Sequence, residues 1–254
     1  MNNVLLTIIG FSIIFLATTS GAFVVFFFKN EISAKVNSAF LGFAAGIMTA
    51  ASVWSLLLPA IDGAKNYGDL AFLPAVAGFL IGGGFIVVLG KLVPEFKGDY
   101  PEDYSKRIKT FIAITVHNVP EGLAVGFAFG AAAVIGAQEA YLSALGLAVG
   151  IAIQNFPEGA AVSLPLKRGV GKKKAFFLGT LSGVVEPIAA VIGYFLAAYL
   201  TPMQPWLLSF AAGAMIFVVA EDLIPEAISG SAAFGTWGVM LGFAIMMALD
   251  VALG

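Results

Sequence analysis

Cysteine is absent from the 254 residues, histidine occurs once, and charged side chains make up only 11%. Without cysteine there is no disulfide, no thiolate metal ligand and no thiol redox switch. A single histidine excludes the paired-histidine HExxH centre of a zinc protease. The shortage of charge, against about 25% in a soluble domain, joins a hydrophobic content of 60% and a mean hydropathy of +0.98 to exclude a water-soluble globular protein. No GxxxxGK[ST] phosphate loop occurs, so direct coupling to nucleotide hydrolysis is not expected. Met1-Asn2-Asn3 puts no basic residue ahead of the first apolar run, which argues against a cleaved signal peptide.

What is present is a succession of apolar runs long enough to cross a bilayer. They predict an all-α integral membrane protein with eight transmembrane helices, roughly 4–28, 36–60, 71–93, 108–132, 140–166, 174–200, 205–225 and 233–253, in one domain spanning 1–254. Lysine and arginine set the topology. Lys29 and Lys35 fall between helices one and two. Lys91, Lys97, Lys106, Arg107 and Lys109 fall between three and four, and Lys167, Arg168, Lys172, Lys173 and Lys174 between five and six. Only Lys65 falls in the opposite set of loops. The expectation is a plasma (inner) membrane protein with both termini outside. The basic clusters are then topology determinants, and no nucleic-acid partner is expected.

Two apolar runs carry groups that hydrocarbon penalises. Helix four contains His117-Asn118-Val119-Pro120-Glu121-Gly122, and helix five echoes it 37 residues later as Gln154-Asn155-Phe156-Pro157-Glu158-Gly159. Positions four and three apart share a helix face, so His117 and Asn118 flank Glu121, and Gln154 and Asn155 flank Glu158. A carboxylate at a helix centre costs about 2.5–3.5 kcal/mol on insertion scales. A proline inside a helix costs about 3 kcal/mol and frees the carbonyl four residues back, here of Val116 and Ile153. Such a break is tolerated where it is buried in protein or lines a wet cavity. The two copies lie on antiparallel spans, an arrangement that points to inverted repeats with the substrate site between them. Small residues such as Gly42, Gly46, Gly82, Gly122, Gly126, Gly146 and Gly150 let helices approach closely.

Most of the 15 acidic residues sit at loop or helix-end depth. Glu121, Glu158 and Glu186 do not, and Glu186 also stands beside a proline, Pro187. No lysine or arginine lies at mid-span depth to neutralise them. Three clustered carboxylates require either protons or a cation among them. One imidazole, three carboxylates and the amide oxygens of Asn118, Gln154 and Asn155 form a borderline-hard set suited to Zn2+, Fe2+, Mn2+ or Co2+. Amide oxygens are weak ligands, which suits an ion that must leave again.

The paired motifs on the fourth and fifth of eight helices, with the run from Ala212 to Glu226, resemble the ZIP (Zrt/Irt-like) metal-ion transporters, with the closest likeness to the prokaryotic GufA-type branch. The resemblance covers essentially the whole chain. It implies a 3+2+3 inverted-repeat bundle, a homodimer, and Zn2+ or another divalent metal (Fe2+, Mn2+, Co2+, Cd2+) as transported substrate, with no prosthetic cofactor and no enzymatic activity. It implies a binuclear site: His117, Glu121, Gln154 and Glu158 around one ion, and Asn118, Asn155 and Glu186 around a second, with Glu121 and Glu158 bridging. Some members have aspartate where this chain has Asn155, which weakens the second site here. The loop between helices three and four lacks the histidines many members have. Met48, Ala51, Ser55 and Asp62 along helix two, with Asp250, resemble the family's outer pathway. Glu221, Asp222 and Glu226 form an acidic cluster at the inner end of helix seven. For Asp62, Asp250 and the Glu221, Asp222 and Glu226 cluster an ordinary helix end is an equal alternative, and a methionine at a position such as Met48 usually belongs to the core.

The leading expectation is an alternating-access carrier of divalent metal into the cytoplasm, with proton coupling open. Its rivals are a proton- or sodium-coupled carrier of an organic solute, an intramembrane metalloenzyme, and a metal sensor. A carrier needs a sealed compartment to show activity, whereas an enzyme turns over in detergent.

Overall fold

The computed structural model describes residues 2–27, 33–92 and 102–253, with the side chains of 92, 102–110, 113, 114, 117, 165, 168, 169 and 253 outside that description. In hydrocarbon each backbone N–H and C=O must bond within its own segment, so every apolar run becomes a helix. Among the described residues eight segments are long and apolar enough to span: α1 (Asn3–Phe26), α2 (Ala34–Gly63), α3 (Phe72–Leu92), α4 (Glu102–Ile135), α5 (Gln138–Val170), α6 (Lys172–Tyr199), α7 (Thr201–Gly230) and α8 (Ala232–Leu253). The predicted spans match these to within a few residues. The largest difference is at α4, which starts six residues earlier than predicted because the helix continues past the end of its apolar stretch. Asn2 caps α1 by accepting from the Val4 N–H at 3.0 Å. Gly136 (φ 73°) and Gly171 (φ 79°) take the left-handed backbone that lets α4 turn into α5 and α5 into α6 within one or two residues.

The helices pack chiefly in four pairs: α2 with α8, α4 with α6, α1 with α5, and α3 with α7. Without a hydrophobic force between helices in lipid, close backbone approach at small residues drives such pairing. A Cβ at Gly122, Gly126 or Gly130 of α4 would run into the carbonyls of Glu186, Ala190 or Tyr194 of α6. Both series advance by four residues, one helix face against another. Gly21 and Gly159 play this part between α1 and α5, Gly42 and Gly46 between α2 and α8, and Gly82 and Gly213 between α3 and α7.

The four pairs interconvert under one exchange, α1 with α6, α2 with α7, α3 with α8 and α4 with α5. That exchange is what two inverted three-helix units flanking a central pair produce. The local distortions obey it too. α2 widens into a π turn over Ser52–Leu57 and α7 over Val219–Leu223. The π turns follow related runs, Ala44-Ala45-Gly46-Ile47-Met48 and Ala211-Ala212-Gly213-Ala214-Met215, and lead into Pro59 and Pro225.

The prolines act differently from the sequence expectation. A proline ring clashes with the carbonyl four residues back. For Pro59 and Pro225 that carbonyl belongs to Ser55 and Glu221, each inside its π turn. For Pro187 it belongs to Gly183, where α6 breaks: the regular helix stops at Gly183, turns at Val184 and resumes at Val185. At Pro120 and Pro157, where the broken turns are expected, α4 and α5 run on as regular helix. Both sit in tightly packed helix pairs, next to Gly122 and Gly159 that lie against the backbones of α6 and α1.

Candidate metal-transport site

Glu121 and Asn118 project from α4, Gln154, Asn155 and Glu158 from α5, and Glu186 from α6 just past its break. All six are buried, with Glu121, Gln154, Asn155 and Glu186 at 0% exposure. Glu121 lies within electrostatic reach of both Glu158 and Glu186, and Glu158 of Glu186. The structure therefore gathers the three mid-membrane carboxyl groups at the α4–α5–α6 crossing. The side chain of His117 lies outside the described residues.

The hydrogen bonds split these groups into two sets. Glu186 is fully engaged. Its Oε1 accepts from Thr18 Oγ1 of α1 at 2.8 Å and from Asn118 Nδ2 of α4 at 3.2 Å, and its Oε2 accepts from Asn155 Nδ2 of α5. Asn118 also donates to the Ser182 carbonyl at 2.9 Å and Asn155 to the Ile14 carbonyl at 3.2 Å. The second set is the reverse. Both oxygens of Glu121, Oε2 of Glu158, Oε1 of Gln154 and Oδ1 of Asn118 are buried and accept no hydrogen bond within 3.5 Å from the described residues. Gln154 stands beside Glu121 but donates its NH2 to Asn155 Oδ1 at 2.7 Å, which leaves its own oxygen free and occupies that of Asn155.

A buried acceptor without a donor costs about 1–3 kcal/mol, more if charged, and the great majority of buried polar atoms find a partner. Five such oxygens on four residues of the two motifs are a donor set of the kind a hard or borderline cation uses. Among the described residues no three His, Asp or Glu side chains close on one point as a complete metal cluster. Glu186 is held on Thr18, Asn118 and Asn155, and the free oxygens beside Glu121 and Glu158 are the amide oxygens of Gln154 and Asn118. Of the two ion sites implied by the resemblance, the first keeps free oxygens on all its described members. The second has Asn155 and Glu186 committed to protein partners.

Thr18 went unnoticed in the sequence. The signal available was the run Thr18-Thr19-Ser20 in the middle of an otherwise apolar helix. Of the pathway residues, Met48 is fully buried in α2, with Ala51 one turn on. Ser55 donates to Asp250 Oδ1 across to α8, and Asp250 Oδ2 is buried without a partner among the described residues. Asp62 does not join them: it is exposed and pairs with Lys65 at 2.9 Å. Glu221 and Asp222 sit in the α7 π turn, and Glu226 follows it within electrostatic reach of Asp222.

Comparison with known proteins agrees with this architecture. The family model for the ZIP Zinc transporter matches residues 104–250. The chain is 37% identical to the zinc transporter ZIP11 of Xenopus tropicalis, over 99% of this chain and 98% of that one. It is 35% identical to the zinc transporter GufA of Myxococcus xanthus, over 89% and 90%, and 38% identical to the zinc transporter ZIPB of Bordetella bronchiseptica, over 94% and 79%. A similarity that runs through all eight helices leaves no separate part of the chain to be explained, and the chain belongs to the ZIP family of divalent metal transporters.

Proposed function

We propose that this chain carries divalent transition-metal ions, Zn2+ first among them, into the cytoplasm through the crossing of α4, α5 and α6. The single observation that carries this reading is the set of buried, donorless oxygens on Glu121, Glu158, Gln154 and Asn118. An arriving dication exchanges its water for these oxygens and offsets the repulsion between the two glutamates. His117, one turn from Glu121, supplies the nitrogen that favours zinc over a hard cation such as Mg2+. The relatives named as zinc transporters support the choice of ion.

The rest of the expected mechanism follows as part of the same proposal. The imbalance of lysine and arginine between the two sets of loops supports a plasma (inner) membrane protein with both termini outside. Met48, Ser55 and Asp250 then form the outer approach, with the unpartnered Asp250 oxygen as a transient ligand. Glu221, Asp222 and Glu226 receive the ion at the inner end of α7. Two sets of helices, α1, α4, α5, α6 and α2, α3, α7, α8, pack more within themselves than across. Movement of one set against the other opens the site to each side in turn. A homodimer is compatible with this scheme, since the described donor set lies within one chain.

The test is Zn2+ uptake into sealed proteoliposomes, with the unmodified chain beside Glu121→Ala, Glu158→Ala and His117→Ala. Each substitution is expected to lower flux by about tenfold or more, at least the loss that follows from disturbing a metal site's supporting groups. Unchanged flux in three correctly folded variants would remove the site from the transport path.

A further inference from the structure

Glu186 is tied down by side chains from three helices, and the tie from α1 has a position that the fold's symmetry singles out. Gly122 of the first motif lies against the Glu186 carbonyl, and Gly159 of the second lies against the Thr18 carbonyl. The exchange that maps α4 onto α5 and α6 onto α1 therefore maps Glu186 onto Thr18. The unit of α6, α7 and α8 offers a carboxylate there and the unit of α1, α2 and α3 a hydroxyl, and the two meet at 2.8 Å. Thr18 is wedged as well: a Cβ at Gly183, the residue at which α6 breaks, would strike the Thr18 side chain. One residue thus touches the second motif's glycine, the break in α6 and the carboxylate just beyond that break. Its hydroxyl has the Ile14 carbonyl in reach at 3.3 Å, yet stands closer to Glu186.

We propose that Thr18 is a positioning residue for transport: its hydroxyl, with the amides of Asn118 and Asn155, holds the Glu186 carboxylate on the protein and off the ion, so that the site takes one ion in this state. Glu186 becomes a ligand only when α1 and α6 shift relative to one another and its three donors let go. The inference rests on the metal reading of the site. It adds that the affinity of the site is set in part by a residue that does not touch the ion. Removing the Thr18 hydroxyl leaves Oε1 with Asn118 alone and lets Glu186 compete for the cation, which tightens binding and slows release.

The experiment compares the full chain with Thr18→Val, Thr18→Ser and Glu186→Gln, and with the double variant Thr18→Val/Glu186→Gln, using Zn2+ as the probe. Equilibrium binding in detergent and initial uptake rates in proteoliposomes are both read. Thr18→Val is expected to lower the uptake KM and the maximal rate together, each by about fivefold, the weight of one hydrogen bond. Thr18→Ser restores both, and Thr18→Val produces no further change in KM once Glu186 is Gln. A Thr18→Val protein with reduced thermal stability but unaltered KM and Zn2+ affinity would overturn the proposal, as would an equal effect in the Glu186→Gln background. If Thr18→Val does not fold, Thr18→Ala in the same cycle decides. A metal-free arm needs no flux: the losses in Tm from Thr18→Val and Glu186→Ala, which leaves the Thr18 hydroxyl no acceptor on α6, must be non-additive, and additive losses overturn the contact. Absence of Zn2+ flux in the unmodified chain counts against the metal reading itself, which that arm keeps distinct from failure of the Thr18 contact.

Discussion

Two buried glutamates in this protein have opposite surroundings. Glu186 accepts from Thr18, Asn118 and Asn155, whereas Glu121 accepts from no donor within 3.5 Å among the described residues. Replacing a saturated acceptor by an amide turns an NH2 toward a donor, and an unmet or opposed buried donor costs about 1–3 kcal/mol. Glu186→Gln is therefore expected to lower the Tm of the metal-free protein. Glu121→Gln removes like-charge repulsion and loses no hydrogen bond from a described residue, so its metal-free Tm is expected to hold or rise. Only Glu121→Gln is then expected to abolish the stabilisation that Zn2+ provides, which is about 2.7 kcal/mol at a hundred times the dissociation constant for a one-site ligand. Thermal unfolding with and without Zn2+ checks both. The sequence disclosed Glu121, Glu158, Gln154 and Asn118 because an amide or carboxylate in an apolar run has no inexpensive excuse. It did not disclose Thr18, because a threonine hydroxyl in a helix satisfies itself on the carbonyl four residues back and leaves little trace in hydropathy. Nor did it reveal that Asn155 and Glu186 are spent on one another, which depends on where three helices cross.

At the scale of the element, the helices were legible to within a few residues because bilayer thickness fixes their length. Their distortions were not. The expected breaks at Pro120 and Pro157 are absent, and the observed ones lie at Ser52–Leu57, Val219–Leu223 and Val184. A proline states which carbonyl it displaces, but the neighbouring helices decide whether the turn yields. The π turns did leave one mark in the chain: Pro59 stands eleven residues after Met48, but Pro225 ten after Met215. The π turn of α2 is correspondingly one residue longer, six against five. Close approach makes the motif glycines structural as well. Gly122→Ala and Gly159→Ala push a methyl group into the backbone of α6 and α1, an overpacking expected to cost about 1–3 kcal/mol. Gly84→Ala in α3, with no atom within 4 Å, is expected to gain about 0.5–1 kcal/mol from helix propensity. Unfolding in detergent distinguishes the two classes.

For the whole molecule, the pairing of α1 with α5 and of α4 with α6 is a long-range fact that no local pattern contains. The inverted arrangement was still foreshadowed by the echo of one motif in the other. Membership of a transporter family sets aside the metalloenzyme alternative, and the chain's sidedness is open to direct measurement. Because the sequence lacks cysteine, Lys65→Cys and Lys173→Cys each introduce a single thiol. A membrane-impermeant maleimide added outside intact cells is expected to label the first and spare the second; the reverse pattern would invert the proposed direction of transport. The central claim concerns where the cargo rests. Anomalous scattering from crystals of the Zn2+-loaded protein, with X-ray absorption on the same preparation, locates the ion and identifies its ligands. The account predicts one ion between Glu121 and Glu158, bound only by oxygen and nitrogen at about 2.0–2.2 Å, with Glu186 still on Thr18. An ion held at Glu221, Asp222 and Glu226 with none between the two motif glutamates would contradict it.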